Sequence, residues 1–203
     1  DKVDGGAGTD TLSITNASLI AIQGQTISEA NTFNTTFTGM EKLLVSNTLD
    51  ATGDSFDLGY LSGINHVTVG ALNANAQTIA GFSSGGTLAL TTTMSQAIIP
   101  TVNGAAAGAS DALTIALTGN VNDDYDSATV ANIETLTIDV TQSTADAANS
   151  RTATFGLSTS QTTVAAGGSG AAQTINVIGT EDLIIDTTVT VGTLNASGMS
   201  ART

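Results

Sequence analysis

The stretch Asn132-Ile-Glu-Thr-Leu-Thr-Ile138, NIETLTI, has three close counterparts: GMEKLLV (Gly39–Val45), GINHVTV (Gly63–Val69) and GTEDLII (Gly179–Ile185). Each opens on Gly or Asn, usually continues with an apolar and a polar residue, and then alternates until it ends on a β-branched residue. Gly and Asn reach the turn conformations that other residues avoid. Alternation with period two is the pattern of a half-buried strand. The phrase therefore reads as a turn that feeds a strand. GGTLAL (Gly85–Leu90) and SDALTI (Ser110–Ile115) share its strand half.

Aligning the first apolar strand residue of each copy gives Leu43, Val67, Leu88, Leu113, Leu136 and Leu183, at steps of 24, 21, 25, 23 and 47. The last step is about twice the others, which places a degenerate copy near Thr162–Val164. A step of about 23 residues is too long for a hairpin and too short for a β-α-β unit. It suits one rung of a right-handed parallel β-solenoid, an all-β fold with two or three short strands per rung. About nine rungs stacked ~4.8 Å apart make a rod on the order of 40 Å long. The six aligned residues are then expected to form one inward ladder. The alternative architecture is a set of antiparallel adhesin-like β-sandwiches divided near residues 101–110, where TVNGAAAGAS (Thr101–Ser110) reads as a linker or a projecting loop.

Composition agrees with stacked strands. Of the 203 residues 40% are hydrophobic, enough for a core, but only 3% are aromatic and Trp is absent, so the core is thin and aliphatic. Helical periodicity is confined to Ser18–Gln23, after Asn16 as a cap, and Ser127–Asn132, after Asp126. The net charge of −14 sets 18 acids against Lys2, Lys42, Arg151 and Arg202. Such a surface repels phosphate backbones and anionic lipids and attracts divalent cations, so neither nucleic-acid binding nor membrane insertion is expected. Without cysteine there is no disulfide, thiolate metal site or thiol nucleophile.

Catalytic motifs are sparse. His66, the only histidine, occupies a polar slot of its strand and reads as a surface residue. Glu41, Glu134 and Glu181 recur at one place in the phrase, where stacking sets like residues in a line and not across a cleft, so a turn or strand-start role is expected. No enzymatic activity is expected. For metal chemistry the acidic run NVNDDYD (Asn120–Asp126) offers Asp123, Asp124 and Asp126 as carboxylates for one cation, against the plainer reading of a solvated turn. Asp50, Asp54 and Asp57 are spaced more widely and read as structural.

The opening, GGAGTDTLS (Gly5–Ser13), fits the nonapeptide G-G-x-G-x-D-x-U-x, where U is a large apolar residue. Asp1-Lys2-Val3-Asp4 fits the tail of a preceding copy, nine residues earlier. Residues 1–14 thus read as the end of a repeat array, and 15–203 as the solenoid body. The opening is similar to the calcium-binding RTX repeats of type I secreted bacterial proteins. NIETLTI and TLNASGMS (Thr193–Ser200) resemble phrases of bacterial surface-layer (S-layer) proteins and large RTX adhesins. The resemblance implies Ca2+ as the cofactor, held by the Asp10 side chain, the Gly6 and Gly8 backbones and Asp1 of the preceding copy. It also implies a secreted structural segment at the cell surface that self-assembles into a calcium-dependent lattice, with a surface polysaccharide as a second partner. The alternative is a stalk or ligand-binding segment of an RTX adhesin, to which the 101-residue spacing of GTDTLSI (Gly8–Ile14) and ASDALTI (Ala109–Ile115) points.

Overall fold

The computed structural model describes residues 2–24, 34–50, 55–107, 110–119, 122–141, 151–160, 173–189 and 191–200. The strands fall into two long sheets that the chain visits in turn. One holds eight strands: β2 (Thr11–Ile14), β4 (Lys42–Val45), β6 (His66–Val69), β8 (Gly86–Leu90), β10 (Ala112–Leu117), β12 (Thr135–Val140), β14 (Thr174–Gly179) and β16 (Thr193–Met199). The other holds six: β5 (Ser55–Asp57), β7 (Gln77–Phe82), β9 (Ile98–Val102), β11 (Asp123–Ala131), β13 (Thr152–Ser160) and β15 (Asp182–Ile185). A short pair, β1 (Val3–Asp4) and β3 (Phe37–Thr38), stands apart. Each strand lies beside the strand one rung before it and the strand one rung after it, and every named pairing is parallel. The fold is a parallel β-solenoid, and the antiparallel sandwich is excluded.

The core lies between the sheets. Leu12, Leu43, Val67, Leu88, Ile115, Ile138 and Val177 follow one another in register along the eight-stranded sheet, all facing inward and all buried. The aromatic share comes from the opposite sheet, where Phe56, Phe82, Tyr125 and Phe155 are at most 1% exposed. Aliphatic rungs on one side and a few large rings on the other fill the space that two flat sheets leave.

The expected ladder is corrected in two places. Leu88 stands opposite Ile115, so the step there is 27 residues, and Leu113 stands opposite Gly86. A Cβ on Gly86 would lie 2.7 Å from the Phe82 ring, which already fills that position. A slip of two residues keeps the side chains on the same face, so Leu113 is buried under either alignment. Leu183 is not in this sheet at all. It lies in β15, opposite Ala153 of β13, while the partner of Leu136 is Ile175.

Since β12 and β14 are direct neighbours in this sheet, a single rung of 39 residues separates Leu136 from Ile175. Thr162–Val164 lie outside the described residues. Rungs range from that length down to the 19 residues between Ile175 and Leu194, so 23 is typical of part of the rod only.

The first helix expectation holds with a different cap. Helix α1 (Asn16–Gln23) is capped by Thr15, whose hydroxyl accepts from the Ser18 N–H. Asn16 instead exchanges hydrogen bonds with the Asp50 backbone. Leu19 and Ile22 are buried, and the Gln23 amide donates to the Ser55 carbonyl at 2.9 Å, so α1 closes on the first strand of the six-stranded sheet. The second expected helix is strand: Ser127–Ala131 continue β11. What resembled a cap at Asp126 is a residue at φ 51°, set where the β11–β13 register shifts.

Candidate functional site

The recurrent phrase is a corner. Gly39, Gly63, Asn132 and Gly179 all have positive φ, at 64°, 89°, 58° and 127°. Asn is the one side chain among them, and it tolerates this region better than most. The apolar residue that follows, Met40, Ile64 or Ile133, packs into the core. The acid after it fastens the corner to the rung before. Glu41 Oε2 accepts the Asp10 N–H at 2.9 Å, Glu134 Oε2 the Asp111 N–H at 2.7 Å, and Glu181 Oε2 the Arg151 N–H at 2.9 Å. The carbonyl of each partner in turn accepts from the corner: Asp10 O from Glu41 N and Lys42 N, Asp111 O from Glu134 N and Thr135 N, Arg151 O from Asp182 N. The strand-start role expected of these glutamates is a staple between rungs. Glu181 also lies 4.0 Å from the Arg151 Nε, a pair buried on both sides.

The opening turn is built on the first staple. Gly5 donates its N–H to the Thr38 carbonyl, and a Cβ there would collide with the Gly39 carbonyl and stand 2.7 Å from the Asp10 Cβ. The Asp4 carboxylate accepts the Gly6 N–H at 3.0 Å. Gly6 and Gly8 hold φ of 84° and 129°, exposed and with nothing near the place of a Cβ. Asp10 is drawn inward, and its Oδ2 is buried with no hydrogen-bond partner. A buried, unpartnered carboxylate oxygen is costly and suits a cation. Calcium asks for six to eight oxygens. Among the described residues no group of three or more His, Asp or Glu converges to hold a metal ion, and Asp1 lies outside them. Among the described residues the fit rests on the Asp10 side chain, beside a turn whose glycines take positive φ.

The second acidic run does not converge. Strand alternation turns Asp123 into the core, 5% exposed, where its Oδ1 accepts from the Thr93 N–H and hydroxyl at 2.9 and 3.0 Å. Asp124 faces solvent and accepts the Asp126 N–H, while the Asp126 carboxylate meets the Ser127 hydroxyl. The carboxylates thus serve the irregularity in β11 and the contact with the preceding rung. Tyr125, beside them, takes the Gly119 N–H on its hydroxyl oxygen, and burial pushes its pKa up to about 12. Of the third trio, Asp57 caps a single 3-10 turn through the Gly59 N–H, Asp50 binds Asn16, and Asp54 lies outside the described residues.

His66 is half-buried on the outer side of β6, in register with Lys42. Burial, and after it the Lys42 charge, lowers its pKa. The corner glutamates, which stand at separate rungs with Glu181 leading into the other sheet, and the acid-rich β11 could be guessed from the sequence only as turn and strand-start features. Which carboxylate oxygens are left buried and without a hydrogen-bond partner, Asp10, Asp111 and Asp123 Oδ2 among them, could not be guessed.

No protein-family model matches the chain, and no curated protein matches it either.

Proposed function

We propose that the chain is a structural segment of a secreted bacterial surface-layer protein, an S-layer component that carries RTX-type turns and assembles with copies of itself through Ca2+. The observation that carries this reading is the opening turn, where Gly6 and Gly8 take positive φ and the buried Asp10 Oδ2 has no partner. The rod behind that turn supports it: its stacked rungs are stiff, and its surplus of acids over four basic residues leaves it unable to neutralise a neighbour by reciprocal ion pairs. Divalent cations bridge carboxylates where monovalent salt only screens them. The function is mechanical and not enzymatic, and the protein acts outside the cell.

The adhesin alternative leaned on the 101-residue spacing of two phrases. Their strands, β2 and β10, are rungs of the same sheet, so the likeness already has a cause in rung geometry. The test is calcium titration of the purified chain by calorimetry and light scattering. Millimolar calcium, but not sodium at matched ionic strength, is expected to associate the chains reversibly by chelator, and Asp10→Asn to weaken calcium binding severalfold. Equal association by sodium, or equal calcium binding by Asp10→Asn, overturns the calcium-bridged mechanism.

A further inference from the structure

The surplus of acids that keeps whole rods apart is not spread evenly over the surface. The strands of the six-stranded sheet carry five acids and no base, and Asp57, Asp124 and Asp182 stand exposed on its outer side. The strands of the eight-stranded sheet carry two charged side chains in all, Lys42 and Asp139, of opposite sign. Both alternate with buried residues and so point outward. Register puts Lys42 in one outward column with His66 and Thr87, and Asp139 in the next with Ala89 and Ala116. The two charges are also placed symmetrically, since β4 lies two strands from β8 on one side and β12 two strands from it on the other. Among the described residues the one ion pair is Arg151 with Glu181, so neither Lys42 nor Asp139 has a partner within the chain.

We infer that the outer face of the eight-stranded sheet docks on the same face of a second copy, with the rods antiparallel about a two-fold axis along β8 and Lys42 of each copy paired with Asp139 of the other. Such an axis lays β4 over β12 of the copy and β12 over β4, so both pairs form at once. Asp139 lies two residues further along the strands than the Lys42 column, a diagonal that the long lysine side chain spans. Parallel rods would instead set Lys42 against Lys42 and Asp139 against Asp139. Two copies of the opposite face would bring only carboxylates together. Charge thus selects the occupant, because a face with one positive and one negative group at equal distances from its middle is complementary to itself. The area suffices for a weak contact: seven strands, β2 to β14, spaced ~4.8 Å and four to six residues long, cover on the order of 500 Å² per partner, at the lower bound of specific interfaces. The contact uses no metal, so its failure leaves the calcium reading untouched, and a failure of calcium binding leaves this contact standing.

The test is sedimentation equilibrium of the chain in chelator at fixed sodium chloride over a wide concentration range. A monomer–dimer equilibrium that stops at the dimer is expected. Lys42→Glu and Asp139→Lys are each expected to weaken it by about tenfold, since either reversal turns two attractive pairs into repulsive ones. The double variant, Lys42→Glu with Asp139→Lys, restores both pairs at the original net charge and is expected to recover the dimer. Circular dichroism of all three is expected to match that of the unaltered chain. The chain has no cysteine, so a single replacement reports which faces meet. Thr87→Cys, on β8 at the axis, is expected to give a disulfide-linked dimer on mild oxidation, and Thr129→Cys, on the outer side of β11, is not. Monomer at every concentration overturns the inference. So does tighter association of Asp139→Lys, which would mean that only the overall repulsion of acidic chains matters. A double variant no better than the single ones rules out the antiparallel pairing, and equal cross-linking by Thr129→Cys places the contact on the acidic face; either result overturns it as well.

Discussion

Glu134 illustrates how one residue joins two rungs. Its carboxylate accepts the Asp111 amide, and the Asp111 carbonyl accepts two amides from the corner, so three hydrogen bonds meet at one residue. Glu134→Ala removes a charged acceptor and leaves a partly buried N–H without a partner, a loss of about 1–3 kcal/mol. The expected outcome is a lower urea midpoint with an unchanged slope, and a smaller loss for Glu134→Gln, whose amide oxygen still accepts. Equal loss in the two variants would mean that charge, and not the hydrogen bond, matters at this corner. The role of Glu134 is half legible in the sequence. Its recurrence after a Gly or Asn marks the start of a strand, but the partner is 23 residues upstream in one copy and 31 in another.

At the scale of elements, the alternation that reveals a strand says which residues share a face and not which sheet receives the strand. Asn132 turns the chain from β11 into the eight-stranded sheet, while Gly179 turns it from β14 into the six-stranded sheet, so one phrase serves both corners. That is why the phrase marks Leu183 as the start of a strand but does not assign it to the six-stranded sheet. In the same way, adjacent Asp123 and Asp124 look alike in a sequence, and only the pairing of β11 with its neighbours decides which of them is buried. The inward column itself was legible because a two-residue slip conserves facing. Its energetic content can be checked with Leu136, which is fully buried between Leu113 and Ile175. Leu136→Ala is expected to cost about 2–5 kcal/mol by denaturant unfolding, since the stacked neighbours cannot close the cavity without breaking register. Leu194→Ala, one column-mate further out and 59% exposed, is expected to cost well under half as much. Comparable losses would contradict that difference in burial.

For the whole molecule, stability is set by how many neighbours a rung has. A solenoid is close to one-dimensional: each rung gains from the two beside it, and an end rung from one. Opening therefore starts most readily where the end is least covered. Here the ends differ, because α1 closes on β5 whereas β16 is exposed along nearly its whole length. Native-state hydrogen exchange in chelator at low protein concentration is thus expected to find the slowest amides in β8, β10 and β12. Protection should fall gently toward β2 and steeply toward β16. Uniform protection would mean that the rod opens as a single cooperative unit and that nearest-neighbour stacking is the wrong description.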